Sequence, residues 1–281
     1  MIKNILRKAI NFTGYEIQKI KNHYDEELYL SLYGKDSVAN RKFYNISAGG
    51  HLDFGCGIHH PIWTNIDVDR HWEKQVNYNP KYDIAHDLLS LGSLPVESNS
   101  AEIVHSRTTI EHIPDDAVMV MFKEVKRILK KGGFFRIVTP NIDLDYRALI
   151  NNDIHFYFWL KDFSIEQAFL SHFAHGTSIR SRETSHEKIT DEKLRYLFKN
   201  MSVEEVFNYC TSKCDLSTQA KGRYHINWWN HKKLECMLRN AGFSTIYSSL
   251  PGQSACPVLR NEFYFDNAWP KVMLYIEAIN D

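Results

Sequence analysis

The sequence predicts an α/β fold: a mostly parallel sheet with helices on both faces and a helical insertion over its carboxyl edge. Three observations predict it. Short apolar runs alternate with helical stretches between residues 49 and 141, the pattern of βαβ units. The first of these runs passes straight into a glycine turn, Gly55-Cys56-Gly57. Strands then resume near residue 243, after a long stretch, 142–228, that reads as helical, His-rich and aromatic.

The elements follow in order. Residues 1–47 read as a polar, helical preface, and 48–281 as the main domain with 142–228 inserted. His51–Phe54 reads as the first strand, Trp63–Asp67 as the second, Tyr82–Ala85 as the third and Ala101–Ser106 as the fourth. Asp115–Lys130 has helical periodicity, with two aspartates at its start and Lys131-Gly132-Gly133 as its stop. Phe134–Thr139 is a fifth strand closed by Pro140. Asn230–Ala241 is a helix ended by Gly242, and Phe243–Leu250 and Val272–Ile279 are the last strands. The insertion is placed over the carboxyl ends of the strands, where open α/β sheets bind ligands.

Composition narrows the function classes. The 281 residues carry 34 basic and 34 acidic side chains, so no global field draws the chain to nucleic acid. Five cysteines form no C-x-x-C pair, which fits reduced thiols and a cytoplasmic location better than a disulfide framework. No four-ligand zinc spacing occurs, and no metal is expected. No signal peptide or run of transmembrane length is found. Ile2, Ile5, Leu6, Ala9 and Ile10 recur at helical spacing beside Lys3, Arg7 and Lys8. That basic amphipathic segment packs on the domain or a second subunit, or else lies on a membrane surface as a peripheral contact.

The glycine turn does not suit a dinucleotide. His60 stands where a third glycine belongs, and Asp67 follows Gly57 by only ten residues, too few for a full crossover helix. A phosphate-free nucleoside ligand fits better. Asp53 ends the first strand and orders the turn or holds an ammonium group. Asp67 ends the second strand and accepts from ribose hydroxyls. Asp87, with Leu88, follows the third strand and meets an adenine. Three carboxylates at successive strand ends are hard to attribute to capping alone.

These blocks resemble the class I, Rossmann-like methyltransferases that use S-adenosyl-L-methionine (SAM). The matching words are LDFGCG at 52–57, WTNIDVD at 63–69, HDLLSLGSLPVESNSAEIV at 86–104, IEHI at 110–113 and EVKRILKKGGFFRIVTPN at 124–141. The short link between the first two strands is similar to a branch associated with cell-surface polysaccharide biosynthesis. The resemblance implies a seven-stranded sheet with the last strand antiparallel. It also implies Asp53, Gly55, Cys56 and Gly57 on the methionine side, Asp67 on the ribose, Asp87 and Leu88 on the adenine, and Ser106 near the sulfonium. Arg107 and Thr108 stand where relatives carry small and His residues, so the acceptor is not inherited from the family.

Methyl transfer to a hydroxyl needs alignment and a base. His112, His175 and His225 are the candidates for that base. Arg180 and Arg182, with Ser178 and Ser181, form a smaller cluster suited to a phosphate or to solvent. The expected partner is a small-molecule or glycan acceptor. A silent subunit supporting a partner enzyme, or a nucleotide-sugar enzyme, are the alternatives.

Overall fold

The computed structural model describes residues 42–48, 60, 62–68, 82–160, 162–182, 185–214, 224–266 and 269–281. They form a seven-stranded sheet in the order β3-β2-β1-β4-β5-β7-β6. The strands are β1 (Phe43–Ile46), β2 (Thr64–Asp67), β3 (Ile84–Ala85), β4 (Ala101–Arg107), β5 (Leu129–Pro140), β6 (Thr245–Ser249) and β7 (Met273–Asn280). The first five run parallel, and β7 is antiparallel to both β5 and β6. This is the Rossmann-like sheet with an antiparallel last strand that the sequence led us to expect. The strand order reverses between β1 and β4, the switch point at which such sheets bind ligands.

The first strand differs from expectation. The strand between β2 and β4 is Phe43–Ile46, so the sheet begins inside the stretch assigned to the helical preface. The expected strand His51–Phe54, its glycine turn and the amphipathic segment near the N-terminus lie outside the described residues. The physical reason is a buried polar row. Asn65, Asn45, His105, Arg136, Glu277 and Tyr247 stand in register across six strands, from β2 to β6. His105 Nδ1 donates to Asn45 Oδ1 at 3.0 Å, and Asn45 Nδ2 donates to Asn65 Oδ1 at 3.2 Å. A buried asparagine breaks the apolar pattern by which central parallel strands are usually read, and its partners satisfy it.

Helix α1 (Asp115–Ile128) lays Val118, Met121, Phe122, Val125 and Ile128 against the sheet, all buried. Asp115 and Asp116 sit in its first turn, and Lys126 and Arg127 in its last, each favourable to the helix dipole. The expected glycine stop is not what ends it. Leu129 already takes extended angles and opens β5. Lys130–Gly133 then bulge out, because pairing jumps from Ala101↔Leu129 to Ile103↔Phe134. Gly132 has a φ of +77°, and a Cβ on Gly133 would lie 2.9 Å from the Lys130 carbonyl. The glycines serve the bulge.

Arg127 and Glu124 tie α1 to the loop before β4. Arg127 donates to the carbonyls of Leu94 and Val96, each at 2.9 Å, and Glu124 accepts from Leu94 N at 2.8 Å. Hydrogen bonding from Arg127 holds the Glu124 carboxyl below its ordinary value of 4.5. A depressed carboxylate contributes stability above its unfolded pKa and loses it as pH falls through the folded one. Glu124→Gln is therefore expected to flatten the acid limb of stability below about pH 5, read by urea unfolding between pH 3 and 7.

The insertion has its own core. Helices α2 (Ile142–Ile150), α3 (Ile165–Phe173), α4 (Asp191–Asn200) and α5 (Val203–Ser212) pack around Phe169, Phe173, Leu194, Phe207 and Trp228. Asn141, Ser164, Thr190 and Ser202 cap them, and Ser202 with Glu205 forms a capping box. Helix α6 (His231–Asn240), capped by Asn230, returns the chain to the sheet, and Gly242 ends it at a φ of +100°. A short helix α7 (Glu262–Phe265) lies between β6 and β7.

Candidate functional site

The carboxyl ends of β1, β2 and β4 converge at the switch point. Asp67 closes β2, is fully buried, and accepts from Val68 N at 2.8 Å. Ser47, just past β1, is buried, and its N–H donates to the Ile66 carbonyl at 3.0 Å. Thr109 Oγ1 donates to the Ile46 carbonyl at 3.2 Å and so joins β1 to the loop after β4. Ser106, near the end of β4, is buried, and its hydroxyl has no hydrogen-bond partner among the described residues. Thr108 has a φ of 47°, a strained conformation for a β-branched residue and one that clusters at functional sites.

Asp87 caps the 3-10 turn Leu88–Ser90, accepting from Leu89 N at 2.9 Å, and Leu88 is buried in the sheet core. Asp53, Gly55, Cys56 and Gly57 lie outside the described residues. In sequence, β1 leads instead into Ser47-Ala48-Gly49-Gly50. The apolar Phe43 and Tyr44 ahead of that glycine pair were the available signal for the strand.

The histidines are drawn together around an acid that sequence reasoning left without a role. Glu111 sits in the 3-10 turn Ile110–His112 after β4 and is almost fully buried. Thr139 Oγ1 at the end of β5 donates to its Oε2 at 3.1 Å. Its Oε1 has no hydrogen-bond partner among the described residues and lies 4.0 Å from Nε2 of both His112 and His225. Burial pushes the Glu111 carboxyl up to about 7, against the pull of Thr139 and other hydrogen bonds. The backbone explains how a residue 114 positions away arrives here: Ile226 N and Asn227 N both donate to the Glu111 carbonyl, at 2.9 and 3.2 Å.

Each histidine is oriented by its other nitrogen. His112 Nδ1 lies 3.2 Å from the Tyr224 carbonyl, and His225 Nδ1 contacts the His172 carbonyl. A carbonyl only accepts, so both rings carry a proton on Nδ1, and a neutral ring so held has its lone pair on Nε2. Burial holds His225 well below the usual imidazole range, so it is neutral. His172 Nδ1 in turn meets Asp145 at 2.6 Å. His175 is set to one side: it stacks on Tyr224 at 4.1 Å, and its Nδ1 faces the Ser171 carbonyl. His172 and His175, three residues apart, do not share a helix, since α3 ends at Phe173.

An aromatic wall runs from this cluster to the surface. Trp159 packs on His172 at 5.1 Å and on Trp269 at 5.1 Å, and Trp269 stacks on the exposed Phe158. Among the described residues no helix is long and apolar enough to cross a membrane.

The model of a methyltransferase-domain family matches residues 24–248, well over half of the chain, and the chain belongs to that family. No curated protein matches it. Among solved structures it is similar to the CMeT domain of the citrinin polyketide synthase, at 11% identity over 86% of this chain and 46% of that one, with a TM-score of 0.39. It is similar to a SAM-dependent methyltransferase of Thermotoga maritima described as a possible histamine N-methyltransferase, at 12% identity over 92% and 95%, TM-score 0.38. It is also similar to phosphoethanolamine N-methyltransferase 2 of Haemonchus contortus, determined with SAM, at 14% identity over 85% and 48%, TM-score 0.35. The chain spans about half the length of the first and third of these.

SAM is the cofactor of this family. The residues present fit it: a buried carboxylate ends β2, and a buried hydroxyl near the end of β4 has no partner among the described residues.

Proposed function

We propose that the chain transfers a methyl group from SAM to a hydroxyl of a small, sugar-like acceptor, in a cytoplasmic step of surface-polysaccharide synthesis. Asp67 accepts from the ribose hydroxyls, Asp87 and Leu88 flank the adenine, and Ser106 lies toward the sulfonium. Ser47 and Ala48, just past β1, take the methionine side. SAM supplies an electrophilic methyl on a positively charged sulfur.

The observation that carries the hydroxyl acceptor is the Glu111–His112–His225 cluster beside the end of β4. The acceptor oxygen bonds to the methyl carbon as the carbon–sulfur bond breaks, and the bonding pair leaves with sulfur as S-adenosylhomocysteine. The hydroxyl proton goes to the free Nε2 of His225, whose Nδ1 proton is held on a carbonyl. Glu111 stands ready to stabilise the resulting imidazolium. His112 Nε2 lies at the same distance from the same carboxylate oxygen. The aromatic wall at Trp159 and Trp269 suits the apolar face of a sugar ring.

Calorimetric titration with SAM and with S-adenosylhomocysteine tests the cofactor reading. Micromolar binding of both is expected; no binding of either by folded protein overturns it. His225→Ala is expected to lower kcat by about 10²–10⁴-fold, the usual contribution of a general base, with the SAM Kd unchanged. Unaltered turnover in that variant removes His225 from the chemistry.

A further inference from the structure

We propose that Glu111, His112 and His225 form a binding site for one divalent transition-metal cation. The role suggested for it below rests on the methyl-transfer reading; the binding itself does not. One ligand atom from each residue lies within 4.8 Å of the other two. A point equidistant from atoms so spaced is roughly 2.3–2.5 Å from each, against about 2.0–2.2 Å for histidine and carboxylate bonds to zinc. Closure asks for shifts of a few tenths of an ångström.

Three further features are those of a built site. Both histidines turn Nε2 toward Glu111 while their Nδ1 atoms face the Tyr224 and His172 carbonyls. Metal-ligating histidines are oriented in this way by their outer partners. Oε1 of Glu111 is a buried acceptor with no hydrogen-bond donor among the described residues, while Thr139 holds Oε2 aside. The second layer continues inward, since Asp145 holds the His172 ring next to His225.

Two imidazoles and one carboxylate suit Mn²⁺, Fe²⁺, Co²⁺ or Zn²⁺ rather than Mg²⁺ or Ca²⁺, which favour all-oxygen sets. Three protein ligands leave coordination positions open, as in catalytic rather than structural sites. A cation held by Glu111, His112 and His225 would acidify an acceptor hydroxyl entering such a position, whose proton would leave to solvent. The oxygen would then bond to the methyl carbon, with the carbon–sulfur pair leaving on sulfur as before. The Nε2 lone pairs then hold the cation instead of the proton.

The test is a titration of chelator-treated, dialysed full-length protein with Co²⁺, followed by visible absorption and metal analysis. One cobalt per chain with ligand-field bands is expected. Affinity should fall by at least about 100-fold in His112→Ala and in His225→Ala, in line with loss of a direct ligand. His231→Ala, partly exposed on α6, should leave it unchanged. X-ray absorption of the cobalt-loaded wild type gives a reading independent of variant folding, with histidine nitrogens expected at about 2.0–2.2 Å. No stoichiometric binding, a shell of oxygen alone, or equal affinity in the His112→Ala/His225→Ala double variant overturns the proposal. SAM affinity, measured separately, judges the methyltransferase reading on its own.

Discussion

Arg136→Ala is expected to lower stability by about 3–5 kcal/mol, the cost of breaking a buried ion cluster by removing one partner. Arg136 lies on β5 with no exposure and faces two buried carboxylates. Its Nη2 donates to both oxygens of Asp266, at 3.0 and 2.9 Å, and its Nη1 to Glu277, its in-register neighbour on β7. It also donates to Ser249 Oγ at 2.7 Å and to the carbonyls of Gln253 and Leu250. One guanidinium thus fastens β5 to β7, the end of β6, the turn after it and α7. Without it, the two buried carboxylates lose the guanidinium that bridges them, and Glu277 loses its ion-pair partner.

Burial already raises the Asp266 pKa, with Arg136 opposing the rise. Removing Arg136 raises it further. A group whose folded pKa exceeds its unfolded value contributes stability at low pH that is lost as pH rises through the folded pKa. The variant should therefore be less impaired at about pH 5 than at about pH 7.5. Urea unfolding at both values reads this, with the denaturant slope unchanged. The triple variant Arg136→Met/Asp266→Asn/Glu277→Gln should recover much of the loss. If it is no better than Arg136→Ala, lost packing over Tyr275 rather than uncompensated charge is the cause.

The same polar row explains what could be read in the sequence and what could not. β2, β4, α1, α6 and β7 were legible because their apolar residues keep a helical or strand period and their ends carry recognisable caps or turns. β1 was not. Asn45 interrupts it, and the asparagine is tolerated only because Asn65 and His105 stand opposite in register, a relation that local periodicity does not contain. The bulge at Lys130–Gly133 was hidden for the converse reason: a glycine pair after a helix is also the ordinary helix stop. In the site, His225 could be singled out as a polar residue among aromatics, but its partner could not. Glu111 stood in view in the run Ile110-Glu111-His112-Ile113. An acid inside a short run bounded by Ile110 and Ile113 was the signal available, and the contact with residue 225 exists only through tertiary structure.

Asp67→Ala is expected to weaken SAM binding by about 10²–10⁴-fold, from loss of charge-assisted hydrogen bonds worth about 1.5–3 kcal/mol each. The position makes the case. Asp67 is the last residue of β2, beside the strand that borders the switch point, where nucleoside ligands of open α/β sheets bind. Its carboxylate is fully buried, and desolvating a charge at a strand end is costly unless partners meet it. Val68 N supplies one such partner at 2.8 Å, and a ribose diol offers two more donors. Asp67→Asn keeps the shape and one acceptor oxygen, so it should fall between wild type and Asp67→Ala. Both variants lose part of the Val68 contact, worth about 1 kcal/mol of stability, so thermal unfolding must accompany the calorimetric Kd. A folded Asp67→Ala protein that binds SAM within about threefold of wild type, less than 1 kcal/mol, would remove Asp67 from the ribose. It would shift the search to the carboxylates after β3, where Asp87 already spends one oxygen on its cap.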